Sequence, residues 1–310
     1  MQHANTLTSS GRARRLSPQQ RRSILVGLSF ISPWIIGFLA FQVYPLFASL
    51  YYSFTFFPIL GTPRFIGLAN YENLLADPRF LTSLGNTAYY ALFAVPLGIV
   101  VGILLALLLN TKTRARPVFR TIFYLPSILP VVATAIVWQW MFNPRAGIIN
   151  FLLNAIGING PGWLGSPEWA KPAFIIMSLW GVGSAVLIYL AALQDVPREL
   201  IEAAQLDGAG RVQQFWNVTI PMISPVILFN LITGLIGASQ YFTQAYVMTG
   251  GSGRPADSTL MMSIYLWQTA FNYFKIGYAS AQAWVLFVII LVLTLLFFRL
   301  SGRFVYDSGK

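Results

Sequence analysis

The chain has 310 residues, of which 56% are hydrophobic and only 9% charged, against about a quarter charged in soluble domains. Its formal charge of +11 sits in short segments beside apolar runs, which is how membrane orientation is set and excludes a nucleic-acid-binding surface. There is no cysteine, so disulfides, thiol nucleophiles, iron–sulfur clusters and cysteine zinc sites are excluded, and the single histidine, His3, lies in a polar tail.

In chain order, residues 1–23 read as a basic cytoplasmic tail in which Arg12–Arg22 contacts lipid headgroups. Six apolar runs follow, near 24–50, 81–109, 118–142, 172–193, 223–248 and 279–300. Each is long enough to cross a hydrocarbon core of roughly 30 Å, which takes about 20 helical residues. The runs are continuous and lack period-two alternation, which excludes a transmembrane β-barrel. The first run is too long for a signal-peptide core and no small-residue cleavage site follows it, so it is expected to stay as a span. The stretches 144–171 and 257–275 are too long for tight turns and are expected to form short external helices. The domain plan is a tail (1–23), a transmembrane domain (24–300) and a second tail (301–310).

All nine carboxylates fall outside these spans. With the N-terminus inside, the cytoplasmic segments hold Arg12, Arg14, Arg15, Arg21, Arg22, Lys112, Arg114, Arg116, Arg120, Arg198, Arg211, Arg299, Arg303 and Lys310. The external segments hold only Arg64, Arg79, Arg145, Lys171, Arg254 and Lys275. That bias predicts both termini in the cytoplasm and places the loop at about 195–221 there too.

This loop carries Asp195, Glu199, Glu202 and Asp207. Pro197 suits a first helical turn, Glu199 and Glu202 favour a helix N-terminus, and Gly208 suits a left-handed stop. A second short helix is expected from Arg211 to Thr219, which makes a helix–turn–helix lying across the membrane face. Its alternative reading is a connector packed on its own bundle.

The residues Glu202, Ala203, Ala204, Gly208, Ile220 and Pro221 resemble the Glu-Ala-Ala-x-x-x-Gly signature of ABC importer permease subunits. Asp207-Gly208-Ala209 is similar to the branch that carries maltose-type and glycerol-phosphate-type sugars. Phe65–Tyr71, Asp77–Phe80, Asn86-Thr87, Tyr124-Leu125-Pro126 and Thr249-Gly250-Gly251 also resemble that family, whereas Ser252-Gly253-Arg254 departs from it. The resemblance implies the type I importer permease fold and a multi-pass protein of a prokaryotic cell membrane. It implies a second homologous permease, two cytoplasmic ATPase subunits, an external solute-binding protein and a carbohydrate substrate. Glu202, Ala203, Ala204, Asp207 and Gly208 would then form the helix that couples to the ATPase.

No G-x-x-x-x-G-K-[ST] phosphate cradle occurs, so the chain is read as no enzyme; ATP and magnesium would be held by the partners, with no cofactor in this chain. The mid-membrane sequence offers no ionisable group, which suits an uncharged polyhydroxylated solute. Polar residues of the fifth span (Ser239, Gln240, Tyr241, Gln244), the fourth (Trp180, Ser184) and the third (Gln139) are candidates for the solute path. Gln240 and Gln244 would share a face by spacing. Each has the alternative of interhelical bonding, and Gly234 and Gly237 read as close helix packing. Two other functions stay open: a permease for a non-sugar solute such as glycerol phosphate or an amino acid, and a membrane glycosyltransferase using Glu199, Glu202 and Asp207.

Overall fold

Prolines and glycines decide where the long apolar runs stay straight. The computed structural model describes residues 17–58, 61–111 and 116–302, without the side chain of Arg21. The expected tails, apart from residues 17–23 and 301–302, and the basic residues Lys112 and Arg114 lie outside the described residues. Two compact units are present, Met1–Tyr51 and Tyr52–Lys310.

In the first unit, α1 (Pro18–Phe38) opens with a capping box. Ser17 Oγ accepts from the Gln20 N–H at 3.2 Å, and Gln20 Oε1 accepts from the Ser17 N–H at 3.0 Å. A π-turn at Leu39–Val43 leads into α2 (Tyr44–Ser53), giving a continuous apolar helix Pro18–Ser53.

The second unit begins with a two-stranded antiparallel ribbon, β1 (Thr55–Phe56) and β2 (Arg64–Phe65), that pairs Thr55 with Phe65. Then come α3 (Ala69–Ala76) and α4 (Pro78–Leu109), a 32-residue helix started by Asp77, whose carboxylate accepts the N–H groups of Arg79 and Phe80. The third apolar run is not one straight helix. It divides into α5 (Arg116–Ile128) and α6 (Val131–Met141), bent by 100°. Pro130 causes the break: it has no N–H to offer the Pro126 carbonyl, which accepts from Leu129 instead at 3.3 Å. After α7 (Ile148–Ala155) and a 3₁₀ turn at Trp163–Gly165, the fourth run is likewise two helices, α8 (Pro167–Trp180) and α9 (Gly183–Gln194), bent by 50°.

The loop helix α10 (Arg198–Leu206) and the turn α11 (Arg211–Gln214) follow. A π-turn at Phe215–Thr219 runs directly into α12 (Ile220–Ser239), so the expected second short helix is continuous with the fifth span. Pro225 leaves the Pro221 carbonyl without its helical donor, and the Ser224 hydroxyl donates to that carbonyl at 2.6 Å. Last come α13 (Thr243–Thr249), α14 (Met262–Trp267) with a π-turn at Gln268–Asn272, and α15 (Ile276–Ser301).

Four helices are long and apolar enough to cross a membrane, or six if each bent pair counts as one span. Helix α4 is central and packs on α8, α9 and α12. One apolar cluster surrounds its Pro78 half, with Phe80, Tyr90, Phe174 and Met262. A second surrounds its Leu109 half, with Ile103, Leu109, Tyr189 and Ile223.

Candidate functional site: a cavity at broken helices and an exposed loop

A helix that stops leaves backbone N–H and C=O groups without intrahelical partners, and in hydrocarbon such groups are tolerated only against protein or a cavity. Three spans stop inside this bundle: between α5 and α6, between α8 and α9, and between α12 and α13. All three breaks reach the same place. A cavity of about 280 Å³ is lined by Leu129 and Val131 at the first break, Gly181 and Ser184 at the second, and Tyr241 and Gln244 at the third. A neighbouring cavity of about 470 Å³ shares Tyr90, Ser178, Gly181, Tyr241 and Gln244 and adds Tyr189, Asn230 and Thr233. No charged side chain lines either one.

Several contacts shape these walls. The rings of Tyr90 and Tyr241 lie 4.3 Å apart, and Phe174 stands 5.6 Å from Tyr241. Tyr189 packs on Gly102, where an added Cβ would lie 3.0 Å from its ring, and the Tyr189 hydroxyl is buried without a hydrogen-bond partner. Gly234 presses on Val95, as close packing requires, since a Cβ there would meet Val95 at 3.1 Å. Gly237, read from sequence as a packing residue, has nothing within 4 Å of its Cβ position and opens onto the larger cavity.

Of the sequence candidates, the structure brings together Tyr241, Gln244 and Ser184. It places the others elsewhere. Gln240 lies on a different cavity beside Phe242, Trp267 and Phe271. The shared face expected of Gln240 and Gln244 is not formed, because the helix ends at Ser239 and restarts at Thr243, with Phe242 at φ −128° and ψ −65°. Ser239 donates to the Leu235 carbonyl at 2.8 Å within its own helix. Trp180 stands edge-on to Trp138 at 5.9 Å, and Gln139 donates to the Met248 carbonyl at 3.1 Å, fastening α6 to α13. Tyr90 and Ser178 were not singled out. The signal for both was three-dimensional, since they face the breaks from α4 and α8.

A separate cavity of about 570 Å³ lies beside β1, α3 and the start of α15 and includes Asp77, Tyr278 and Lys275. It touches none of the helix breaks. Burial pushes the Asp77 carboxyl up, but hydrogen bonds donated by Tyr265, Tyr278 and the Phe80 and Arg79 N–H groups outweigh it and hold it below the ordinary carboxylate value. Arg79 donates to both carboxylate oxygens of Asp257 at 3.1 Å and to the Tyr273 hydroxyl.

The loop at 195–221 is anchored where Val196 is buried in the cluster around the Leu109 half of α4 and where Ile201, Phe215 and Ile220 pack against that cluster, and much of the rest is exposed. No residue of α10 is buried; Glu199 and Glu202 are exposed, and Leu206 is 90% exposed. Pro197 is the residue before the helix and not its first turn. Gly208 sits at φ +82°. Its N–H donates to Gln205 at 3.0 Å, and the Ala209 N–H donates to Ala204 at 2.9 Å, the paired bonds of a Schellman stop. Gln214 Nε2 then donates to the Ala209 carbonyl at 2.7 Å, tying the turn to the next helix. Among the described residues no group of three or more carboxylates or histidines is placed together as metal ligands would be.

Broken spans around a cavity lined by uncharged side chains are the arrangement found in multi-pass helical membrane proteins whose irregular backbone lines a cavity. The chain belongs to the family of binding-protein-dependent transport system inner membrane components, whose pattern it matches over residues 98–306. It is similar to the probable ABC transporter permease protein YesP of Bacillus subtilis, with 43% identity over 301 residues that cover 96% of this chain and 97% of that protein. It is also similar to the lactose transport system permease protein LacF of Rhizobium radiobacter, with 38% identity over 282 residues, 88% of this chain and 92% of that one. A chain in the crystal structure of a bacterial alginate ABC transporter, in complex with alginate pentasaccharide-bound periplasmic protein, superimposes with a TM-score of 0.81. It has 26% identity and covers 94% of this chain and 98% of that chain. The type I importer permease fold expected from the sequence is therefore the one observed, and the family is one of transport components, not of enzymes.

Proposed function

We propose that the chain is the permease subunit of an ATP-driven importer that moves a sugar or oligosaccharide delivered by an external binding protein. The observation that carries this reading is the convergence of three helix breaks on cavities without a charged side chain. Amides, hydroxyls and tyrosine rings at Gln244, Ser178, Ser184, Tyr90 and Tyr241 are the groups that bond sugar hydroxyls and stack on sugar C–H faces. The lactose permease and the alginate transporter among its relatives support a saccharide as the solute.

A separate ATPase supplies the energy in this reading. The loop residues Glu202, Ala203, Ala204, Asp207 and Gly208 seat in that ATPase, and the exposed Leu206, Val212 and Trp216 give the contact its apolar part. Both termini and this loop are cytoplasmic, a second homologous permease completes the pore, and ATP and magnesium stay on the two ATPase subunits.

The experiment is purification of the tagged chain from its native membrane, followed by mass spectrometry and an ATPase assay. The reading predicts a second permease and an ATPase in the complex, with hydrolysis stimulated by saccharide-loaded binding protein. A chain that purifies without any ATPase contradicts it.

A further inference from the structure

We propose that the short helix α7 is a membrane anchor whose bare face, formed by Ile148, Phe151, Leu152 and Ile156, lies in the lipid–water interface. Helical spacing puts Ile148, Phe151, Leu152 and Ala155 on one face and Ile149, Asn150 and Leu153 on the other. The second face is the inner one. Ile149 and Leu153 pack on the cluster around the Pro78 half of α4, and Asn150 is buried. The first face is uncovered: Phe151 is 71% and Ile156 72% exposed, and Ile148 and Leu152 are exposed beside them.

Asn150 fixes the roll of the helix. Its Nδ2 donates to the carbonyls of Pro144 at 3.1 Å and Pro161 at 3.2 Å, and its Oδ1 accepts from Trp163 Nε1 at 2.6 Å. Gly160 crosses so close that an added Cβ would overlap the Asn150 amide. The chain on both sides of α7 is thus tied to one buried side chain, and α7 cannot turn its bare face inward.

Four observations make lipid the cover. Residues 146–167 carry no charged side chain. The helix lies between the end of α6 and the start of α8, two segments of broken spans, and α6 already exposes Val132, Ile136, Val137 and Trp140. Trp140 and Trp169, both exposed at those two ends, are the residue type that collects at membrane interfaces. Arg145, just before α7, is exposed and in no ion pair among the described residues, and its long side chain can reach lipid phosphates while its stem stays on apolar surface. A soluble partner's interface carries about one hydrogen bond per 100–200 Å², and the side chains of this face offer none. The Asn150 bond to Pro144 ties the depth of α7 to the end of α6, three residues before that proline.

The experiment puts a spin label at Phe151→Cys, Leu152→Cys and Ile156→Cys in turn. The full chain is reconstituted into phosphatidylethanolamine–phosphatidylglycerol nanodiscs with the subunits that copurify with it, their own cysteines replaced. Power-saturation EPR reads collision with oxygen, which enters lipid, and with a water-soluble nickel chelate, calibrated with lipids labelled at known depths. All three labels should collide several-fold more with oxygen than with the chelate, at a depth of about 5–10 Å into the headgroup and acyl boundary. Collision with the chelate as frequent as with oxygen would place the face in water. Protection from both reagents would place it against protein, whether a second permease or a binding protein. Either result would overturn the proposal.

Discussion

Gly208 offers a perturbation whose cost is set by backbone conformation alone. At φ +82° it closes α10, and a Cβ there meets nothing within 4 Å. Substitution therefore costs the left-handed strain of an L-residue, about 1–2 kcal/mol for alanine, and no steric clash. A loss of 1 kcal/mol lowers the capped population of the α10 stop about fivefold. Asparagine tolerates this region and should cost least, and β-branched valine should cost most. We predict that hydrogen exchange at the Gly208 and Ala209 amides, and loss of ATP-coupled uptake, both rise in the order Gly208→Asn, Gly208→Ala, Gly208→Val. Equal effects for the three, or rapid exchange with coupling intact, would refute the reasoning.

Asp77→Asn should remove a pH dependence. A carboxyl held below its unfolded value stabilises the fold fully above about pH 4, and the stabilisation is lost as pH falls through the lower folded value. Thermal midpoints from pH 7 down to 3 should fall more steeply for wild type than for the variant; parallel curves would contradict this. Gly183→Val should be strongly destabilising, because its Cβ position lies against the Phe123 carbonyl and 2.9 Å from Tyr124 Cα, forcing α5 from α9. A cost of about 1–3 kcal/mol is expected for such overpacking, read as a lowered midpoint in detergent. A double-mutant cycle on Arg79 and Asp257, both about one-third exposed, should give a coupling of about 0.5–1 kcal/mol that weakens with salt.

Most of the architecture was legible because apolar runs in a membrane protein have few alternatives to helix. The broken spans were harder, for reasons that differ by site. Pro33, Pro96, Pro126, Pro172 and Pro225 all lie inside helices, so a proline by itself is a poor signal. Pro126 and Pro130 stand one turn apart at the first break, yet Pro221 and Pro225 have the same spacing within α12, so the spacing does not mark a break either. Gly181 and Gly183 flank the second break and could have indicated it. Nothing in Gln240-Tyr241-Phe242 announces the third, and the glycines of that span, Gly234 and Gly237, stay helical. This is why spacing paired Gln240 with Gln244 and the fold separates them. The stop at Gly208 was readable because a single residue type meets a single backbone demand. Tyr90 and Ser178 carry no local mark, since their role comes from the helices they face.

The account's central claim is that the loop around α10 lies on the cytoplasmic side and receives force from a separate ATPase. The chain has no cysteine, so a single Leu206→Cys substitution at this 90% exposed position provides a clean probe. A membrane-impermeant maleimide should label it in inside-out vesicles stripped of ATPase, much less when the ATPase is bound, and not at all in intact spheroplasts. Labelling from outside the intact cell would contradict the account.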